Sequence, residues 1–131
     1  MSKRTRFNEL KKVFRILHGP NGCPWDRKQT HKTLLPYIRE ESREFSATVK
    51  SRDCEHMKEE LGDILLQVMF HSEIASKEGL FDIEDVVDTL IKKLKRRHPH
   101  VFGKVKVRSV HQVIANWHNI KRQEKRTKRI S

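Results

Sequence analysis

The sequence predicts an all-α domain of four or five helices, and three observations lead there. Apolar residues recur at helical spacing almost throughout the 131 residues. Gly and Pro are few, 5 and 4, and Gly19-Pro20-Asn21-Gly22, Gly79 and Pro99 fall where helices have to stop. Strand-like alternation is confined to Val105-Lys106-Val107, too short to carry a sheet. A composition 35% apolar and 35% charged suits helices sharing one core better than a sandwich or barrel.

Each element follows from its own signals. Phe7, Leu10, Val13, Phe14 and Leu17 trace one face of a first helix, which Gly19-Pro20-Asn21-Gly22 stops. Cys23-Pro24-Trp25-Asp26 reads as a loop. A second helix is expected over about 33–50, with Leu34, Ile38, Phe45 and Val49 on its apolar face and Pro36 in its first turn, where a missing N–H costs little. Asp53 is a good N-cap for a third helix through about Lys77, carrying Met57, Leu61, Ile64, Leu65, Val68 and Ala75; Gly79 ends it. Asp82 can cap a fourth, with Glu84 and Asp85 at its dipole-favoured start and basic residues from Lys92 to Arg97 at its end, before Pro99. Ser109-x-x-Gln112 reads as a capping box for a final helix carrying Val113, Trp117 and Ile120. The stripes exceed what so few helices can bury in one chain, so an oligomer is expected.

Length and composition bound the function. The chain reads as one domain over 1–131, with a basic C-terminal tail over 122–131 taken as a solvated segment with at most loose nucleic-acid affinity. No apolar run approaches the ~20 residues of a membrane span. No apolar stretch follows the basic residues Lys3, Arg4 and Arg6, and two cysteines are too few for a disulfide framework, so a cytoplasmic protein is expected. The net charge of +12 is unevenly spread: residues 40–88 hold 14 of the 17 acids but only 5 of the 29 basic residues. An acidic centre with basic flanks suits carboxylates holding a metal while Lys and Arg hold phosphates.

The acidic centre has internal order. Glu40-Glu41-x-x-Glu44 and Glu60-x-x-Asp63 each place two carboxylates three residues apart, on neighbouring turns of a helix. At ~100° per residue, Glu41 lies inside the apolar arc of its helix and Glu44 borders it, while Glu40 turns towards solvent. Glu60 borders the Leu61/Ile64/Val68 stripe, with Asp63, Gln67 and His71 on its polar shoulder. A carboxylate facing a core must be compensated. Ion pairs with Arg39, Arg43 or Lys58 would do so, as would a water-filled seam. Two facing pairs favour a hard divalent cation, which takes oxygen ligands and keeps phosphate as a further one.

Longer runs carry a resemblance. Gly22-Cys23-Pro24-Trp25-Asp26-Arg27-Lys28-Gln29-Thr30-His31, Leu35-Pro36-Tyr37, both acidic motifs with the residues around Glu59 to Val68, Glu78-Gly79-x-Phe81-Asp82, Arg96 to Gly103 and Asn116-Trp117-x-x-Ile120-Lys121 together resemble a MazG domain of the amino-terminal type over about residues 8–121. The resemblance implies an all-α nucleoside triphosphate pyrophosphohydrolase with intersubunit four-helix packing, working as a homodimer or higher homo-oligomer. It implies Mg²⁺, with Mn²⁺ as a substitute, and cleavage to nucleoside monophosphate and pyrophosphate. Position by position, it implies Glu41, Glu44, Glu60 and Asp63 as metal ligands and Lys93, Arg96, Arg97, Trp117 and Lys121 as nucleotide contacts, with Trp25 and Asp26 near the substrate. Glu40 or Glu44 is the expected proton acceptor from water. Trp117 could stack on a base or belong to the core stripe of Val113 and Ile120. Ser42-Arg43 replaces the smaller, more apolar pair usual inside the acidic motif.

Weaker patterns add little. Cys23, His31, Cys54 and His56 lack zinc-finger spacing, and His98-Pro99-His100 fits a turn. No Gly-rich phosphate loop is present. A basic module that keeps the fold and binds nucleotide or RNA without hydrolysis is the alternative from another class. A pyrimidine-deoxynucleotide or phosphoribosyl-nucleotide specialist is the alternative enzyme.

Overall fold

The computed structural model describes residues 3–130, with side chains over 6–128. The elements are α1 (Lys3–Leu17), α2 (Pro24–Lys28), α3 (His31–Ser51), α4 (Cys54–Lys77), α5 (Ile83–Arg97), α6 (Pro99–Phe102) and α7 (Val110–Ile130), with no strand among the described residues. Five long helices match the expected set; α2 and α6 are additional single turns. The segment expected as a loop at Cys23–Asp26 enters α2 because Pro24 occupies its first turn, where the proline ring already has the helical φ. Residues 122–130 of the expected solvated tail continue α7 as helix, and most of 122–128 are exposed.

The helix ends follow their local chemistry. Thr30 caps α3 two residues earlier than the apolar pattern suggested: its Oγ1 accepts from the Thr33 N–H at 3.1 Å, and the Thr33 hydroxyl oxygen accepts from the Thr30 N–H at 2.9 Å. Asp53 caps α4 as expected, Oδ1 accepting from the His56 N–H at 3.1 Å. At α7, Ser109 Oγ accepts from the Gln112 N–H at 3.3 Å, but the Gln112 side chain reaches one residue further back, accepting from the Arg108 N–H at 2.7 Å. Gly79, after α4, sits at φ 72°, a left-handed conformation that glycine adopts without steric cost.

The chain forms two compact units that divide at Ile83/Glu84. In the first, α4 packs against both α3 and α1. Phe14, Leu34, Met69, Phe70 and Ile74 form its buried core, with Leu10 and Ile83 packed against them. Phe14 and Phe70 meet edge to face at 6.2 Å, and buried His18 meets Phe70 edge-on at 4.8 Å while its Nδ1 lies 3.0 Å from the Phe14 carbonyl oxygen. The second unit consists of nearly all of α5 with α6 and α7. No helix among the described residues is long and apolar enough to cross a membrane.

Only Arg52 links α3 to the Asp53 cap of α4, at φ 56°. So short a link makes the two helices antiparallel neighbours, and the cross-helix pair His31/His71 confirms the direction.

Three substitutions test this packing by denaturant unfolding. Leu34→Ala empties a position 1% exposed and is expected to cost about 2–5 kcal/mol. A Cβ on Gly22 would lie 2.2 Å from the Leu17 carbonyl oxygen and 2.3 Å from that of Ile16, so Gly22→Ala should cost about 1–3 kcal/mol. Gly62, inside α4, has nothing within 4 Å of that position, so Gly62→Ala should instead stabilise by about 0.8–1 kcal/mol through helix propensity.

Candidate metal and nucleotide site

The two acidic motifs meet across the α3–α4 seam. Glu41 and Glu44 come from adjacent turns of α3, Glu60 and Asp63 from adjacent turns of α4, and one carboxylate oxygen of each lies within 4.8 Å of those of the other three. Glu41, Glu60 and Asp63 are half-buried and Glu44 is exposed. Glu40 is exposed and outside this group, as its helical phase predicts.

The electrostatics of the nest are unbalanced. Oε2 of Glu41 and Oε2 of Glu60 are buried without a hydrogen-bond partner. Among the described residues no Lys or Arg forms an ion pair with any of the four; Lys58, one of the cations weighed as a neutraliser, pairs with Glu55 at 2.9 Å. Burial, followed by the charges of Asp63 and Glu44, pushes the Glu41 carboxyl up to about 7. Burial first and Glu44 second also hold Glu60 above the usual carboxylate range. A cluster of like charges with orphaned buried oxygens fits a bound cation, and an all-carboxylate donor set fits a hard divalent one.

Further along the same seam, His31 of α3 and His71 of α4 stack with rings 4° from parallel, their Nδ1 atoms 2.8 Å apart. One ring donates and the other accepts, and burial, then His31, lowers the His71 pKa. Gln67, 4% exposed and one turn from both Asp63 and His71 on α4, keeps a buried Oε1 without a partner. Helical phase places His71 on the polar shoulder beside Asp63, but nothing in the spacing points to His31 as its partner. Trp25 is 49% exposed and meets Tyr37 and Phe70 edge-on at 5.9 and 6.1 Å, so its loop-side position is anchored while much of the ring stays accessible.

The second unit brings two of the four expected phosphate-binding cations, Arg96 and Arg97, against an unexpected acid. Glu124 of α7 accepts from Arg96 Nε at 2.5 Å and from Arg97 Nη2 and Nε at 2.9 and 3.3 Å. Arg97 lies over the Trp117 ring, 5.2 Å from its centre, and His98 meets that ring edge-on at 5.2 Å. Trp117 is thus half-buried under a guanidinium. Lys93 and Lys121 are half-buried on α5 and α7, and neighbouring Lys92 pairs with Asp88 at 2.8 Å. Glu124 escaped the motif reading because it lies in the basic C-terminal run. One signal was available: it is the lone acid among 14 basic residues in 89–131.

An all-α fold whose central helix hairpin carries a four-carboxylate nest defines a class of divalent-cation proteins built on helical seams. A family model described as the MazG nucleotide pyrophosphohydrolase domain matches residues 29–102, a span that includes all four acids, and the chain belongs to this family. It is 50% identical over 125 residues to the nucleoside triphosphate pyrophosphohydrolase/pyrophosphatase MazG of Thermotoga maritima, covering 95% of this chain and 48% of that protein. It is 39% identical over 124 residues to the nucleoside triphosphate pyrophosphohydrolase of Escherichia coli, covering 94% and 47%. An uncharacterized protein of Bacillus subtilis, YabN, is 49% identical over 125 residues, 95% of this chain and 26% of its own length. The chain thus spans from about a quarter to about half of these relatives. The crystal structure of a mazG-related protein from Thermotoga maritima superposes with a TM-score of 0.71 at 27% identity, covering 88% of this chain and 98% of that one.

The raised Glu41 pKa sets a pH test. The folded carboxyl titrates above its ordinary value of 4.5, so the folded state holds the proton more tightly and metal-free stability falls as pH rises from about 4.5 to about 7. In chelator, Glu41→Gln should therefore melt higher than wild type at pH 8, by a few degrees, and gain little at pH 5. Mg²⁺ should raise the wild-type Tm at pH 8 and raise that of Glu41→Gln much less. Equal responses of the two proteins would show that the nest does not bind the ion.

Proposed function

We propose that this chain is a metal-dependent nucleoside triphosphate pyrophosphohydrolase that yields nucleoside monophosphate and pyrophosphate, serving to clear surplus or non-standard nucleotides. The observation that carries the reading is the convergence of four carboxylates within 4.8 Å, with no Lys or Arg among the described residues ion-paired to them. Family membership and the names of the two pyrophosphohydrolase relatives support the nucleotide as substrate.

Glu41, Glu44, Glu60 and Asp63 would hold Mg²⁺, or Mn²⁺ in its place. When bound, the ion would neutralise phosphate charge, polarise the α-phosphorus and acidify water. The chain's own groups do the rest. Glu44, exposed at the edge of the nest, or Glu40, one turn before it, takes the proton of the attacking water. Arg96, Arg97, Lys93 and Lys121 bind the phosphates, the guanidiniums offering paired donors to paired oxygens. Trp117 and Trp25 offer aromatic faces to the nucleoside.

The protein is proposed to act in the cytoplasm as a homodimer or higher homo-oligomer. Leu61, Leu65 and Leu66 on α4 remain exposed, an apolar strip that a second copy would cover. The basic face of α7 makes nucleic acid a secondary partner at most, through salt-sensitive contacts.

The test is phosphate-product identification across a panel of nucleoside triphosphates, with Mg²⁺ and with chelator. Pyrophosphate and monophosphate should appear only with the ion, and Glu41→Gln and Asp63→Asn should each lower kcat/KM at least about 100-fold. Orthophosphate and diphosphate would mean that the other phosphoanhydride bond is cut. A folded, Mg²⁺-binding protein silent on the whole panel would instead be a non-catalytic nucleotide- or RNA-binding module.

A further inference from the structure

We infer that Glu124 is a positioning residue: it fixes the guanidiniums of Arg96 and Arg97 as a pre-oriented two-arginine clamp for the phosphates of the substrate. The inference rests on the proposed role of Arg97 in nucleotide binding and adds to it a residue that touches no substrate.

Three features carry it. Both oxygens of Glu124 are committed, Oε2 to Arg96 and Oε1 to Arg97, and all three bonds run to the Nε side of the arginines or to the adjoining Nη2. The Nη1 donors of both guanidiniums stay uncommitted among the described residues, so each keeps its outer end for a second acceptor. Glu124 and Arg97 side chains are only 15% and 16% exposed, whereas Arg96 is 48% exposed. The shielded pair is the anchor and Arg96 the more open arm. Finally, Arg97 is held from another side by the Trp117 face, which leaves its plane little freedom.

Charge points the same way. One carboxylate against two guanidiniums leaves a net positive centre, enough to attract a phosphate yet without two bare like charges side by side. The Arg97 and Arg96 bonds hold the Glu124 carboxyl below the usual range, so the anchor stays ionised at neutral pH. A cavity of about 550 Å³, within the size range of small-ligand sites, is lined by Arg96, the more open arm, and by Glu124, with Pro99, Ile120, Gln123 and Thr127; Arg97 lies outside its lining. An isolated surface ion pair contributes little to stability. A shielded, two-armed one instead spares the ordering cost of two long side chains on binding.

The experiment measures KM and kcat of the full chain for its best nucleoside triphosphate, with inorganic triphosphate binding by calorimetry as a second readout. Variants are Glu124→Gln, Glu124→Asp, Arg97→Lys and the double Glu124→Gln/Arg97→Lys. Glu124→Gln should raise KM about tenfold, the order expected when two side chains must be ordered at binding, with kcat within about twofold. Triphosphate affinity should fall in parallel although the variant loses a negative charge, and the far-UV spectrum should stay unchanged. Glu124→Asp should recover part of the loss. The double variant should be no worse than Arg97→Lys alone, because the two changes break one unit. If Arg97→Lys raises KM while Glu124→Gln leaves it unchanged or lowers it, the inference falls and the nucleotide role of Arg97 stands. If Arg97→Lys itself leaves both KM and triphosphate affinity unchanged, the nucleotide role fails first and the inference with it. A Glu124→Gln protein that loses helicity, with Glu124→Asp also misfolded, would make the residue a structural one and overturn the inference as well.

Discussion

Four carboxylates face one another across the seam of two packed helices, and that repulsion is the constraint around which the first unit is organised. Glu41, Glu44, Glu60 and Asp63 approach within 4.8 Å of one another on ligand atoms, where like charges repel more strongly than in open water. Among the described residues no Lys or Arg is ion-paired with them. The surrounding structure compensates by holding the seam rigid: Leu34, Met69, Phe70 and Ile74 are buried, and the connection between α3 and α4 is too short to let the helices separate. Hydrophobic burial thus keeps the carboxylates where they would not gather by themselves, and the raised pKa of Glu41 and of Glu60 is the residue of that imposed arrangement.

The second unit meets the opposite problem with the opposite means. From residue 89 onward its sequence is a run of cations broken by one acid, and that acid, Glu124, is placed against the two arginines that sit at the end of α5. Helix dipole compensation alone would accept Lys or Arg anywhere in that last turn. The shared carboxylate and the Trp117 face below Arg97 ask for guanidinium, with its planar fork and its stacking surface. The first unit thus concentrates negative charge on a helix seam, while the second arranges positive charge around one carboxylate.

Much of this was legible in the sequence because helices are local. The i, i+3 spacing of Glu41/Glu44 and of Glu60/Asp63 fixes each pair on one face whatever the rest of the chain does. The caps at Asp53 and Ser109 and the stop at Gly79 are written in residues adjacent to the ends they control. The start of α3 was missed by two residues because Thr30 caps through Thr33, a hydroxyl pair in place of the usual acid or amide. The turn at Pro24 was missed because one helical turn has too few residues to show a period.

What the sequence by itself determined is the helical class, the faces of the helices and the pairing of carboxylates within each helix, since periodicity, capping and residue type need no knowledge of neighbours. What only the tertiary structure decided is which faces meet. His31 joins His71 across 40 residues, and Glu124 joins Arg97 across 27. Neither separation leaves a mark in a local window, because contacts between distant segments are set by the packing of whole helices and the closing of turns. The carboxylate nest belongs to both levels: each half is a helical spacing, and the whole exists because a short link folds α4 back along α3.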